Sequence, residues 1–389
     1  MFTLLRQCFL TFSSVAFIFV PRLQADESPA ELLAEVDLLR NADDDDVVVR
    51  RLIQIDTKLN VANQGPSVAD STVILVDLAH RRTPAALEFL RSVFETQTPR
   101  RHDAAYALSV AAMERPTSDQ DWRYLVRSLT IVENEQAVSV LKALKRFRRR
   151  ATKDVWVREV ILVGLRLPEK QRIAAVDLLE HWTQHKAPDS ATASESMPHF
   201  QNWFADNYPD SPPATWPIDP PEAKWTFDTL MKLQDRSAAS DPAAGSGVFV
   251  KAKCNSCHRR TGVAKQPPDD RLGPDLTTLG WRRQRKEILL AILYPSHHLN
   301  DEYPVTTVVL NSGKTATGLL TPVQNGQLRI IAADNQETVF RRDEIEETKV
   351  AAVSNMPTRL LDKLTEHEIH SLMSFLTERT GDYAPHRRQ

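Results

Sequence analysis

Cys254-Asn255-Ser256-Cys257-His258 is the stretch of sequence on which the interpretation of the whole chain depends. The chain has 389 residues and three cysteines, and the third, Cys8, lies in an apolar segment at the N-terminus. If that segment is removed, the pair at 254 and 257 is all the cysteine that remains, which is too little for a disulfide framework. The two cysteines therefore have a local function, or they form a small local bridge.

The first 25 residues have the pattern of an export signal. Arg6 provides a positive start, residues 8–20 are apolar apart from scattered Ser and Thr, and Ala25 is a small residue at the expected cleavage position. The apolar run is short for a membrane span, which favours a cleaved signal over an uncleaved anchor. We therefore expect a periplasmic or secreted protein.

The composition is that of an ordinary soluble protein, with 42% hydrophobic and 26% charged residues. A formal net charge of -2 argues against a general nucleic-acid binder. Only 11 glycines accompany 24 prolines, a balance that favours helices ended by prolines over an extended sheet. We therefore predict a mainly α protein.

Residues 28–185 show the apolar spacing of successive amphipathic helices. Ser28-Pro29 and Thr83-Pro84 are typical N-caps followed by a proline in the first turn. Trp122 and Trp156 occupy equivalent places 34 residues apart, which indicates a weak repeat with two helices per period. The segment resembles degenerate HEAT-type repeats, and we predict an N-terminal α-solenoid.

A connector and a second domain follow. Residues 186–240 are rich in Pro, Ser and Ala and predict a linker with at most short helices. Residues 241–383 predict a separate domain that has a helix before the cysteine pair, another over 281–294, and a last helix after a capping box at Thr365. Between about 305 and 347, short β-branched runs separated by turn residues predict a small β insertion of four strands.

The C-x-x-C-H spacing is the attachment pattern of c-type haem. Two thiols two residues apart reach the two vinyl groups of one porphyrin, and the next residue, His258, places an imidazole under the iron. We therefore predict one haem c, bound covalently by Cys254 and Cys257. A zinc site remains open as an alternative, although His297 or His298 would have to complete it. A thioredoxin-like redox pair is disfavoured because no βαβ pattern flanks the motif.

Iron also needs a sixth ligand or an open face. Met356 lies in a short Ser-Asn-Met-Pro loop about a hundred residues downstream, and the haem motif makes it the preferred ligand. His297 and His298 are its rivals, and their place at a helix end predicts that they are exposed. Met373 competes poorly because its helical spacing assigns it to an apolar stripe.

Gly273-Pro274-Asp275-Leu276 resembles the stretch of class I cytochromes c whose proline carbonyl orients the proximal histidine, which implies that Pro274 orients His258. Residues 200–380 as a whole resemble the haem-binding domain of planctomycete and verrucomicrobial exported proteins. The resemblance is carried by residues 247–249, 254–258, 273–276, 292–296, Tyr303, 354–357 and 372–376. It implies a class I-like cytochrome c domain with a β insertion.

The expected function is electron transfer by an exported monohaem cytochrome, not catalysis as an enzyme. Its expected partners are a redox donor and a redox acceptor, with no nucleic acid and no evident small-molecule substrate, and a further protein partner on the solenoid. Lys142, Lys145, Arg146 and residues 148–150 form a basic helix end that is either a solvated face or a docking patch for an acidic partner. A haem enzyme or sensor with an open sixth position, and a zinc-stabilised interaction protein, are the alternatives.

Overall fold

The computed structural model describes residues 27–61, 68–116, 118–151, 153–188, 191–234, 242–265, 267, 272–299, 302–323, 326–334 and 336–380. The expected export signal, residues 1–25, and the last three residues of the expected C-terminal domain lie outside these ranges. The described residues form mainly helices and one small antiparallel sheet. In this part of the chain no helix is both long enough and apolar enough to cross a membrane.

Ten helices make up the first half of the described chain. They are α1 (Pro29–Leu39), α2 (Asp45–Val61), α3 (Val68–Arg81), α4 (Pro84–Thr96), α5 (Arg101–Glu114), α6 (Asp119–Ser128), α7 (Asn134–Arg146), α8 (Asp154–Arg166), α9 (Glu169–Thr183) and α10 (Ala193–Asn207). The two caps expected from the sequence are present, because the side chain of Ser28 accepts a hydrogen bond from Glu31 N and that of Thr83 from Ala86 N. In α1 and α4 the capping residue thus marks the point at which the helix begins.

The ten helices pack in two layers. Helices α3, α5, α7 and α9 contact one another in succession, α2, α4 and α6 do the same on the other side, and α10 packs on α8 and α9. A single hydrophobic core runs through them from Leu32 to Ala214. We call residues 27–214 the helical region. Its core therefore extends into the segment that the sequence predicted to be a linker, since α10 contributes Met197, Phe200 and Phe204.

The C-terminal region, residues 225–380, contains the remaining helices. They are α11 (Phe227–Gln234), α12 (Pro242–Lys251), α13 (Leu279–Arg282), α14 (Arg285–Leu293) and α15 (Glu366–Thr377). Helix α12 crosses α15 at Gly245, where an added Cβ would lie 2.3 Å from the carbonyl oxygen of Ser371. The two helices approach so closely only because glycine has no side chain there.

The helix predicted over 281–294 is in fact two helices. The backbone of Gln284 is extended, and its amide donates to the Glu287 carboxylate at 2.8 Å at the start of α14. The amide Nε2 of Gln284 also donates to the carbonyl oxygen of Thr98 in the helical region, at 3.0 Å. The periodic apolar pattern did not reveal this break because the interaction that stabilises it comes from a distant part of the chain.

The sheet is a five-stranded antiparallel meander with an added edge, in the order β4-β3-β2-β1-β5. The strands are β1 (Val305–Leu310), β2 (Thr315–Pro322), β3 (Gln327–Ile331), β4 (Glu337–Arg341) and β5 (Ile345–Val350). Val308, Ile330 and Phe340 form its own small core. The sequence predicted the first four strands and not β5, whose residues are almost all exposed and largely charged because it is an edge strand.

The helical region and the C-terminal region are in direct contact. Thr98 Oγ1 donates to the carbonyl oxygen of Trp281 at 2.7 Å, and the guanidinium of Arg101 donates to the carbonyl oxygens of Trp281 and Arg282 at 3.2 and 2.5 Å. Helix α13, which carries Trp281, packs in turn on α15. The two regions have separate hydrophobic cores but share a polar junction.

Candidate functional site

The cysteine pair and His258 are presented by one tight turn. Helix α12 ends at Lys251, Lys253 has a left-handed φ of 62°, and Cys254–Ser256 form a single 3₁₀ turn. The amides of Cys257 and His258 both donate to the carbonyl oxygen of Cys254, at 3.2 and 2.9 Å. Two thiols and an imidazole are thereby presented within five residues.

The His258 ring is oriented by Pro274. Nδ1 of His258 lies 2.9 Å from the carbonyl oxygen of Pro274, which can only accept, so Nδ1 is the protonated nitrogen. Nε2 is then unprotonated and is the atom able to coordinate a metal. Burial lowers the pKa of His258 below its usual 6.5, which keeps the imidazole neutral at physiological pH.

Gly273 makes room for this ring. A Cβ at this position would lie 2.8 Å from Cε1 and 2.9 Å from Nδ1 of His258, closer than side-chain atoms pack. Any larger residue would displace the imidazole or break its bond to Pro274. The sequence had indicated only the proline of this motif, and the requirement for glycine follows from the packing of the ring.

Both cysteines are free thiols. Burial raises the pKa of Cys254 to about 12, and burial also raises that of Cys257 above its usual value. A redox or nucleophilic cysteine needs a lowered pKa, because the thiolate is the reactive form. The environment of this pair is thus the opposite of the one that a thioredoxin-like site requires.

Met356 contacts the same hydrophobic cluster as Cys254 and Leu276, although it is about a hundred residues from the cysteines. Its amide donates to Ser354 Oγ at 3.1 Å, and the amide of Ser354 donates to Ser296 Oγ, also at 3.1 Å. These bonds hold the loop that carries the thioether. Met373 is fully buried within the cluster, as its helical spacing predicted.

His297 and His298 were expected to be exposed, and for His297 this is wrong. His297 is 7% exposed, accepts at Nδ1 a hydrogen bond from Arg158 Nη2 of α8 at 3.1 Å, and packs on the ring of Trp216. Nδ1 of His298 lies 3.3 Å from Oε1 of Glu159. Both imidazoles thus contact the helical region and not the cysteine turn, because packing between the two regions covers the end of α14.

The ionisable groups around these histidines are shifted towards their neutral forms. Burial raises the pKa of Glu159 to about 7 and lowers those of His297 and His298 to about 3 and about 4. Burial also lowers the pKa of Arg158, which nevertheless stays protonated. The guanidinium groups of Arg158 and Arg166 also disfavour protonation of His297 and His298, because like charges repel.

Arg260 is a further residue that sequence reasoning missed. Its side chain is buried, with 1% of the residue exposed, and it donates to the carbonyl oxygens of Thr277 at 2.9 Å and of Phe375. The guanidinium also lies 4.5 Å from the centroid of the Phe375 ring. It joins the segment after His258 to the end of α15, and nothing in the local sequence signals this role.

In the described residues no three or more His, Cys, Asp or Glu side chains are grouped so as to hold a metal ion. The two thiols and the imidazole are thus neighbours in one turn but do not converge as three ligands of a single metal ion. No protein-family model matches the chain, and no curated protein matches it either.

Proposed function

We propose that the chain is an exported, periplasmic or secreted c-type cytochrome with one haem, which carries electrons between a donor and an acceptor protein. The observation that carries this proposal is the turn Cys254-Asn255-Ser256-Cys257-His258, with Nδ1 of His258 held by Pro274 at 2.9 Å. Attachment through two thiols and a proximal imidazole requires these residue types at this spacing. The carbonyl of Pro274 is the partner that leaves Nε2 available.

The residues present fit a covalently bound haem. The Cys254 and Cys257 thiols would hold the haem covalently, and His258 Nε2 and the Met356 sulfur would bind its iron. Gly273 leaves the space that the proximal ring needs. A haem held there would supply one-electron transfer chemistry.

We further propose that the helical region is an α-solenoid of the HEAT type that binds a protein partner. Its helices alternate between two layers, and each layer packs in succession. Trp122 and Trp156, which stand one sequence period apart, meet edge to face with their ring centroids 5.1 Å apart. Contact between equivalent residues of adjacent units is what stacked repeats produce.

Two other functions predict different spectra. A haem enzyme or sensor would leave Met356 unbound and show high-spin bands, and a zinc-stabilised interaction protein would show no visible band. The zinc alternative loses support because His297 and His298 contact Arg158 and Glu159 and not the cysteine turn. We expect the sharp reduced α and β bands of low-spin haem c.

The test is expression of the full chain in an exporting host that has haem-attachment machinery. Denaturing electrophoresis should give a haem-stained band, and a pyridine haemochrome spectrum should identify haem c. The matched control is the double variant Cys254→Ser and Cys257→Ser, which should give no stained band. If acidified organic solvent extracts all the haem from the wild type, the covalent attachment and this function are wrong. The mass of the mature protein shows whether residues 1–25 are removed.

A further inference from the structure

The helical region makes a buried hydrogen bond with the segment that follows α14, which in turn contacts the Met356 loop. Arg158 of α8 is 3% exposed, and its Nη2 donates to Nδ1 of His297 at 3.1 Å. Nε of the same guanidinium donates to the carbonyl oxygens of Pro212 and Pro213, both at 3.0 Å. This arginine therefore binds His297 and the segment that leaves α10 at the same time.

The residue next to His297 holds the loop itself. Ser296 Oγ accepts a hydrogen bond from the amide of Ser354, and Ser354 Oγ accepts one from the amide of Met356, each at 3.1 Å. Of these two adjacent residues, His297 thus contacts the helical region and Ser296 contacts the Met356 loop. The connection from Arg158 to Met356 runs through three hydrogen bonds and the one peptide link between Ser296 and His297.

The chemistry of the contact between Arg158 and His297 favours a positioning role over simple adhesion. A buried cation is costly unless its donors are satisfied, and apolar residues of similar volume would hold two surfaces together at least as well. A guanidinium with three fixed acceptors, one at Nη2 and two at Nε, instead permits one arrangement. Trp216 packs on His297 with centroids 5.2 Å apart, and the guanidinium of Arg166 lies 4.6 Å from the Trp216 ring, which further restricts the imidazole.

We propose that Arg158 and His297 are positioning residues through which the helical region holds the Met356 loop in place for iron ligation. The proposal rests on the proposed function, because it concerns the sixth ligand. It assigns the helical region a role in the haem site itself, in addition to any partner that it binds. His297 acts here as a hydrogen-bond acceptor and not as an iron ligand.

The experiment compares full-chain variants along this connection. Arg158→Met removes the hydrogen bond to His297 together with those to Pro212 and Pro213. His297→Leu and Ser296→Ala each remove one hydrogen bond, while His297→Asn retains an acceptor close to the position of Nδ1. In the ferric protein the probe is imidazole, which competes with Met356 for iron. Loss of one hydrogen bond should strengthen imidazole binding about fivefold, within a range of about two- to tenfold. His297→Asn should bind imidazole as the wild type does.

The control is Arg91→Met. Arg91 is a half-buried arginine that pairs with Asp121 at 2.7 Å within the helical region, away from the junction. The Arg91→Met substitution should lower the free energy of unfolding and leave imidazole binding to the iron unchanged. Equal imidazole affinity in the wild type and the three junction variants would overturn the proposal. If His297→Asn and His297→Leu both abolish the low-spin spectrum, His297 is the ligand and the proposal is wrong.

A second measurement does not need haem. Hydrogen exchange of the peptide that contains Ser354 and Met356 should be faster in the three variants of Arg158, His297 and Ser296 than in the wild type or Arg91→Met. The reason is that the amides of Ser354 and Met356 depend, directly or through the loop, on the support of Ser296. If the variants exchange faster but the protein binds no haem, the proposed function is wrong and the connection from Arg158 to the Met356 loop still holds. Unchanged exchange would refute the connection even if haem is attached.

Discussion

Nδ1 of His258 donates a hydrogen bond to the carbonyl oxygen of Pro274, 2.9 Å away and 16 residues further along the chain. The bond selects the tautomer in which Nε2 has a free lone pair. Gly273, the residue before the proline, packs against the same ring. Pro274 thus determines the orientation of the His258 imidazole, and Gly273 leaves the room that the ring occupies.

The first prediction concerns this space. Gly273→Ala places a methyl group 2.8 Å from Cε1 of His258, so the ring must move and its bond to Pro274 must weaken. Haem should still attach through Cys254 and Cys257, but the low-spin α band should weaken. Visible spectra normalised to haem content measure this. Gly247→Ala is the control because nothing lies within 4 Å of an added Cβ there. Identical spectra for both variants would contradict the prediction.

The second prediction concerns the sixth ligand. Met356→Ala should abolish the weak sulfur-to-iron band of the ferric protein, because no other thioether is presented by the loop next to the site. His297→Ala should retain that band, since His297 is bonded to Arg158. If the wild-type ferric protein is low-spin without this band, and His297→Ala abolishes the low-spin spectrum, the assignment moves to the histidine.

The third prediction concerns the crossing of α12 and α15 and is independent of haem. In Gly245→Ala the added Cβ would lie 2.3 Å from the carbonyl oxygen of Ser371 and 2.5 Å from Cβ of Phe375, so the helices must separate. Overpacking of this kind costs roughly 1–3 kcal/mol. Urea unfolding followed by circular dichroism should show a lower midpoint than for Gly247→Ala in the same helix. Equal midpoints would show that the crossing can relax.

The fourth prediction is acid destabilisation at the junction. In the folded state the pKa of His297 is lowered to about 3 and that of His298 to about 4, so the unfolded chain binds these protons first, from about pH 6.5 downward. Both histidines therefore contribute stability that is lost as the pH falls. Glu159 acts in the opposite direction, because its folded pKa of about 7 favours proton uptake by the folded state.

Because two histidines act against one carboxyl, the free energy of unfolding should fall by roughly 1.4 kcal/mol per pH unit as the pH is lowered from 6 to 5. Unfolding midpoints in urea across this range measure it. His297→Asn removes one of the two histidines and should flatten the dependence. An unchanged slope in that variant would mean that His297 does not titrate on unfolding as its burial requires.

The fifth prediction concerns the basic end of α7 and the loop after it. Arg149 is not free for a partner, since it lies 4.5 Å from the centroid of the Trp122 ring and pairs with Asp119. Arg146, Arg148 and Arg150 are exposed. Changing these three to serine should slow association with an acidic donor and reduce the fall in rate as salt is raised.

The measurement is the electron-transfer rate against ionic strength. A control changes two exposed arginines at the end of β4, Arg341→Ser and Arg342→Ser, and should leave the salt dependence of the rate unaltered. If the variant of the basic end behaves like this control, those arginines form only a solvated face.

The sheet and the connector show where sequence reasoning succeeded and where it failed. Four strands were predicted because their β-branched runs end at turn residues, which are local signals. Strand β5 was missed because its charged residues become a strand only by pairing with β1. Helix α10 was underestimated for a similar reason, since Phe200 and Phe204 complete a core supplied by α8 and α9.

The sequence by itself determined the features that depend on residues close together in the chain. These are the spacing of Cys254, Cys257 and His258, the caps at Ser28 and Thr365, and the alternation of helices. Each arises from side-chain chemistry within one or two turns, which no distant contact has to supply.

Only the tertiary structure decided what surrounds the site. It buried His297 against Arg158, 139 residues away in sequence, and linked Ser354 to Ser296 across 58 residues. It also required glycine at 245 and 273, where a helix and an imidazole approach the backbone too closely for a side chain. These outcomes depend on how segments distant in sequence pack together, because buried polar groups must then find partners wherever packing places them.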